Sequence, residues 1–371
     1  MRPNFTPSPE LYPFESRWFE STSGRVHYVD EGTGPPLLLL HGNPTWSFLY
    51  RHLIKRIRGC FRCVAPDYPG FGLSDRPPGY GYTPSDHSRV VGELVDELDL
   101  DELIVMGHDW GGPIGATMAA ARSERIAGLV WGNTSLWPPN LPFRVFSAAA
   151  STRPLRWAIL HRNVLVERVL PLRMRRDLSD AEMEHYRAVQ PTPASRIGVA
   201  EFPRQMVAAT PWFEQLSREV PKKLGSVRTL ITWPTRDFEY PAKTFLPRLQ
   251  SMFSDAHTVE LPAAGHFPQE DSPDEIAEAL EALRRRDNLI RLFARLGPAV
   301  RERHRPTIRS AQLDTLDHHQ PLRDAGQQVV QTPLDHDRSG QPVVDLGPHM
   351  HMAVRVVPER PRVLVCGQRY W

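Results

Sequence analysis

Cysteine is scarce in this chain, with three in 371 residues, and an odd number so spread out excludes a disulfide framework. Cys60 and Cys63 form a C-x-x-C, but no second pair at zinc-site spacing follows, so packed thiols are expected and neither a metal nor any other cofactor. His318-His319 and His349-Met350-His351 likewise lack further ligands at defined spacing. Long apolar runs are missing too, which excludes a membrane-spanning helix. The opening stretch MRPNFTPSPELYPF lacks a basic segment followed by an apolar run, so a cytoplasmic location is expected. Charge of one sign is absent: 45 basic against 43 acidic residues give a net charge of +2, with no field to draw nucleic acid or a membrane surface. The expected partner is therefore small and neutral. An Arg-rich, Lys-poor composition with a long tail is compatible with a homo-oligomer without specifying one.

What is present is alternation. From about Arg25 to Gly132, short apolar runs alternate with amphipathic stretches, the pattern of βαβ units in a mostly parallel sheet flanked by helices. Pro36–Leu40, Phe61–Ala65, Leu103–Met106 and Ile126–Trp131 read as buried strands. Thr83 and Pro84 open a helix whose Val90, Val91, Leu94 and Leu98 recur at helical spacing. After Asn133 the alternation stops, and from Trp137 to Trp212 the chain is rich in Pro and Arg with short helical patterns. One of these helices opens with a capping box at Ser179 and Glu182. Strands resume at Val227–Thr232 and Thr258–Leu261, and a last helix opens at Ser272 with Pro273 and Glu275.

The expected fold class is α/β: a core of residues 1–136 and 213–286, with residues 137–212 inserted as a helical cap, an arrangement that the motifs below make an α/β-hydrolase fold. Residues 287–371 carry one helical patch and then scattered polar residues, and are expected to be a largely disordered or non-catalytic extension rather than a second domain.

The strongest local signal is Gly107-His108-Asp109-Trp110-Gly111-Gly112, between an expected strand and an apolar helix. Small residues on both sides permit the tight strand-to-helix turn of a nucleophile elbow, with the helix N-terminus beside the central side chain. Here that side chain is Asp109, where the usual hydrolase motif has Ser. A carboxylate has no proton to lose and attacks an electrophilic sp³ carbon directly, forming an alkyl ester that water must then hydrolyse. Hydrolysis requires a base and an oxyanion hole. His266 follows the last strand, where this fold places its base, and Asp237 follows the strand before, where it can hold the imidazole tautomer. Singly, each is more readily a turn former or a surface histidine; the chain order Asp109, Asp237, His266 on successive strand ends makes them a catalytic triad.

His41-Gly42-Asn43-Pro44-Thr45-Trp46 follows the first buried strand, in the loop that lends this fold a backbone N–H for the oxyanion hole. Asn43 and Trp110 also carry neutral side-chain donors, which a departing halide requires. Packing remains a rival role for Trp110, and a turn for Asn43.

The segments HGNPTWSFLYR (41–51), VAPDYPGFGLSDRP (64–77), GHDWGGP (107–113) and LPAAGHFPQEDSP (261–273) resemble those of haloalkane dehalogenases, over most of residues 10–285. The resemblance implies hydrolysis of haloalkanes to an alcohol and a halide, with Asp109 as nucleophile, His266 as base, and Asn43 with Trp110 as halide clamp. One branch of that family carries its acid as a glutamate after the sixth strand. This chain has Trp131-Gly132-Asn133-Thr134 there, so Asp237 is the matching acid and the set resembles the third subfamily. Epoxide hydrolases are the nearest alternative, but they use two cap tyrosines and the span 137–212 holds only Tyr186. Fluoroacetate-type dehalogenases would place arginines by the His-Gly loop or the nucleophile; Arg51 lies too far along its helix. A non-catalytic binding protein on the same scaffold is the remaining alternative.

Overall fold

The structure, a computed structural model, describes residues 3–295 together with 343–345 and 351–353. An eight-stranded sheet runs β1 (Arg17–Ser21), β2 (Gly24–Glu31), β3 (Pro36–Leu40), β4 (Arg62–Pro66), β5 (Leu103–His108), β6 (Ile126–Gly132), β7 (Thr229–Pro234) and β8 (Ala256–Leu261) along the chain. In space the order is β1-β2-β4-β3-β5-β6-β7-β8. β1 and β2 pair antiparallel, as do β2 and β4, and every later pairing is parallel.

The central strands are continuous apolar runs because both faces are covered. In β3 and β5, Leu38, Leu40 and Val105 join one core, and Leu37, Leu39, Ile104 and Met106 join the other. Each of these side chains is at least nine-tenths buried, a contribution of about 1.5–3 kcal/mol apiece. β1 and β2 are not among the strands expected from apolar runs: β1 buries only Phe19, and in β2 the buried run 26–29 is interrupted by the polar His27 and flanked by Arg25, Asp30 and Glu31.

The helices of the core are α1 (Arg51–Ile57), α2 (Pro84–Glu97) and α3 (Gly111–Ala121). The expected start of α2 is realised as a complete Thr83/Asp86 capping box with Pro84 in the first turn. The inserted cap contributes α4 (Leu141–Ala150), α5 (Arg153–Arg162), α6 (Leu170–Arg173), α7 (Asp180–Ala188) and α8 (Ile197–Ala208). α7 opens with the Ser179/Glu182 box, as read from the sequence. α9 (Thr210–Lys223) straddles the expected cap boundary at 212, since Thr210-Pro211 starts a helix that continues into the core. The core is completed by α10 (Ala242–Gln250), α11 (Pro268–Asp271) and α12 (Pro273–Arg295).

α12 corrects the expected domain end at Arg286. The helix continues through Arg295, because the run 285–295 contains neither glycine nor proline, so the helical patch assigned to the extension is the end of α12. Beyond it, β9 (Val343–Asp345) and β10 (His351–Ala353) pair antiparallel; the rest of the expected extension, with His318, His319 and His349, lies outside the described residues. Cys60 and Cys63 are buried free thiols. Among the described residues no helix is long and apolar enough to cross a membrane.

Cap and core are joined by buried charges. The Arg51 guanidinium is fully buried, donating to Glu270 of α11 and, at 2.6 Å, to Glu182 of the cap. Arg176 of the cap closes the network by donating to both carboxylates. Arg51 is thus occupied within the protein and unavailable to a substrate.

Candidate active site

The Asp109 backbone has φ of +52°, the left-handed conformation that a nucleophile elbow demands and that aspartate tolerates better than most residues. The turn closes so tightly that a Cβ on Gly111 would lie 2.0 Å from the Leu40 carbonyl oxygen, and one on Gly42 would lie 2.4 Å from Asp109 Cβ. These close approaches bring the His-Gly loop after β3 against the elbow after β5, two strands that are neighbours in the sheet. The Asn43 backbone N–H donates to Asp109 Oδ1 at 2.9 Å, and the Trp110 backbone N–H also donates to this carboxylate. Both expected oxyanion donors therefore face the Asp109 carboxylate.

His266 stands opposite. Its Nδ1 lies 2.7 Å from Asp237 Oδ2 and its Nε2 lies 3.9 Å from Asp109 Oδ2. All three expected triad residues are at least nine-tenths buried and meet at the C-terminal ends of β5, β7 and β8. Burial raises the Asp109 carboxyl to about 6, although His266 and the two backbone donors oppose the shift. Burial alone would lower His266, but Asp237, Glu239 and Asp109 raise it to about 9. Asp237 is likewise pushed up by burial, yet the His266 charge and hydrogen bond hold it at about 2. At neutral pH these shifts leave an ionised Asp109 carboxylate beside a charged His266 imidazole.

The Trp110 indole stacks on Phe202 with ring centroids 4.7 Å apart, and its N–H finds no protein acceptor among the described residues. Packing and an available donor therefore coexist in one side chain. The Asn43 amide is partly engaged, donating to the Val199 carbonyl of α8 at 3.2 Å. Two cavity lobes meet at Asp109, Trp110 and Met206. One is walled by Trp137, Phe143, Phe213 and Phe245; the other by Asn43, Phe146, Leu165 and His266.

Sequence reasoning missed four residues here. Asn133, noted only as the place where the acid is absent, donates through Nδ2 to Asp237 Oδ2 at 2.5 Å. Tyr240 stacks on His266, and its hydroxyl reaches Asp109 Oδ2 at 3.4 Å. Glu239 lies 3.5 Å from His266 Nδ1 and pairs with Arg173 of the cap. The only signal for Glu239 and Tyr240 was adjacency to Asp237; Arg173 had none. Tyr186, the one tyrosine of the cap span, is fully buried and donates to Glu270, away from the nucleophile.

Residues 37–279 match the model of the α/β-hydrolase family, to which this chain belongs. Haloalkane dehalogenase 2 of Mycobacterium tuberculosis is 56% identical over 278 residues, 75% of this chain and 97% of that protein. On that similarity the chain is a member of the haloalkane dehalogenase family. A cis-3-alkyl-4-alkyloxetan-2-one decarboxylase of Shewanella oneidensis is 33% identical, covering 72% of this chain and 87% of its own length. Among solved structures, a putative ancestral haloalkane dehalogenase superimposes with a TM-score of 0.65 at 28% identity, over 72% of this chain and 97% of that one.

Proposed function

We propose that this protein hydrolyses small neutral haloalkanes to an alcohol and a halide through an alkyl ester on Asp109. The observation that carries this reading is the pairing of a carboxylate nucleophile with two converged backbone N–H donors and an imidazole within 4 Å. Asp109 Oδ2, the oxygen that the Asn43 N–H leaves open, attacks the halogen-bearing carbon in line with the leaving halide. The Trp110 indole N–H and the Asn43 amide N–H receive the halide as its charge develops; neutral donors suffice because the product anion needs no proton. Neutral His266 takes a proton from water through Nε2 as the water attacks the ester carbonyl, Oδ1 becoming the oxyanion beside the Asn43 and Trp110 donors; collapse breaks the ester bond to Asp109, and the leaving alkoxide takes the proton from His266 to give the alcohol. Esterification removes the Asp109 charge, one of the influences that keep His266 protonated, and so shifts the imidazole toward the neutral form that the hydrolytic step uses, while Asp237 and Glu239 remain beside it. Asp237 stabilises the resulting imidazolium.

The test is bromide release from bromoalkanes of graded size by the full chain and by Asp109→Ala. Release by the wild type and none by the variant supports the reading; turnover that survives in Asp109→Ala refutes it. A second reading is favoured by the two lobes meeting at Asp109, which suit two alkyl arms on a reacting centre, as on a cis-3-alkyl-4-alkyloxetan-2-one. Alkene and carbon dioxide from that lactone, without bromide from any bromoalkane, would move the assignment there. A diol from an epoxide would instead support the epoxide hydrolase alternative.

A further inference from the structure

His266 Nδ1 faces two carboxylates. Asp237 Oδ2 is at 2.7 Å and Glu239 Oε2 at 3.5 Å. The two acids are neighbours on the loop after β7, tied together by the Glu239 backbone N–H, which donates to Asp237 Oδ1 at 2.8 Å. Asp237 Oδ2 also accepts the Asn133 amide, so the nearer acid is shared between two donors. Glu239 is held from the other side by the Arg173 guanidinium, on the cap residue whose carbonyl accepts the His266 backbone N–H at 2.9 Å. One cap residue thus fixes the main chain of the base and the position of the second acid together.

We propose that Glu239 is a positioning residue for ester hydrolysis: a second carboxylate that shares the His266 imidazolium with Asp237 and accepts Nδ1–H when Asp237 is neutralised. The inference rests on the dehalogenase reading, in which His266 deprotonates water. The groups facing the imidazole are Asp237 and Glu239 from the β7 loop, Asp109 from the elbow, the Tyr240 phenol stacked on it, and His108 beneath it. Burial, with the nearby His266, lowers His108 to about 3, so it is neutral. Once Asp109 is esterified, Asp237 and Glu239 are the anions left to set how readily His266 takes the proton from water. Nothing is oxidised or reduced and no further reactant enters. The water proton passes to Nε2, and Nδ1–H stays hydrogen-bonded to a carboxylate throughout.

The experiment compares wild type, Glu239→Gln, Asp237→Asn and the double variant, in full-length protein, by steady-state bromide release and by single-turnover decay of the Asp109 ester followed by mass spectrometry. Removing one anion near the imidazole lowers its basicity, so in Glu239→Gln the acid limb of ester decay moves to lower pH by about one unit. Asp237→Asn retains slow ester decay, and adding Glu239→Gln slows it by at least about tenfold. An unmoved limb in Glu239→Gln, or equal decay in Asp237→Asn and the double variant, overturns the proposal. Glu239→Gln alters a partly exposed side chain, so the limb shift can be read even if the Asp237 variants fold poorly. Absence of an Asp109 ester in every protein, wild type included, would count against the dehalogenase mechanism and not against the role of Glu239.

Discussion

The two halves of the site are built differently. In the nucleophile half the carboxylate is held by loops at the ends of the strands, Asp109 on the elbow after β5 accepting from the loop after β3, while the Asn43 amide and the Trp110 indole beside it touch α8 of the cap. The base half depends on the cap. The His266 backbone donates to Arg173, and Asp271, which accepts from Gly265 beside His266, also accepts from the Arg175 and Arg176 backbones. Four residues beyond His266, Glu270 is locked to Arg51 and Arg176. On the proposed mechanism, the carboxylate that attacks the carbon–halogen bond is therefore positioned by loops of the core, whereas the base that hydrolyses the ester is in place only when cap and core are joined.

The sharpest break between the halves is removal of the imidazole. His266→Phe leaves alkylation intact and stops hydrolysis, so mass spectrometry should show the alkyl ester on Asp109 while steady-state turnover falls by about 10³-fold or more. Rapid turnover without an adduct would erase the distinction. Next in size is Glu270→Ala, which leaves the buried Arg51 charge without its main partner. A loss of about 3–5 kcal/mol in urea unfolding is expected, with ester decay slowed more than alkylation. Equal effects on the two steps would show that the cap latch does not favour the base half.

The nucleophile half is probed by Trp110→Phe, which keeps the stacking on Phe202 and deletes the N–H. Single-turnover alkylation should slow by about 10- to 100-fold while ester decay changes little. An unchanged alkylation rate would leave the indole a packing residue. The smallest effect is that of pH. A carboxyl raised to about 6 is increasingly protonated below that value and cannot attack, so the alkylation rate should fall by about tenfold per unit under pH 6. A flat alkylation profile down to pH 5 would contradict an Asp109 held up by burial.

The same division explains what could be read from the sequence. β3, β5 and β6 are continuous apolar runs followed by turn-forming residues, and this local grammar also marks the elbow at Asp109 and the strand ends carrying Asp237 and His266. Asn43 and Trp110 were legible because they adjoin those motifs. β1 and β2 were not, since β1 buries a single residue and charged residues and a histidine break up the short apolar run of β2, and the boundary at Arg286 failed because α12 continues through Arg295. Arg173 reaches the site only through the packing of cap on core, and Glu239 and Tyr240 through the packing of the loop after β7 on His266 and the elbow, long-range contacts that leave no periodic trace in the residues themselves.

Isotope tracing tests the central chemistry most directly. Over many turnovers of a bromoalkane in H₂¹⁸O, each hydrolysis by attack at the ester carbonyl exchanges an oxygen of the nucleophile, so the peptide containing Asp109 should gain mass from ¹⁸O. Sustained bromide release with no label in that peptide would mean that water, and not this carboxylate, displaces the halide.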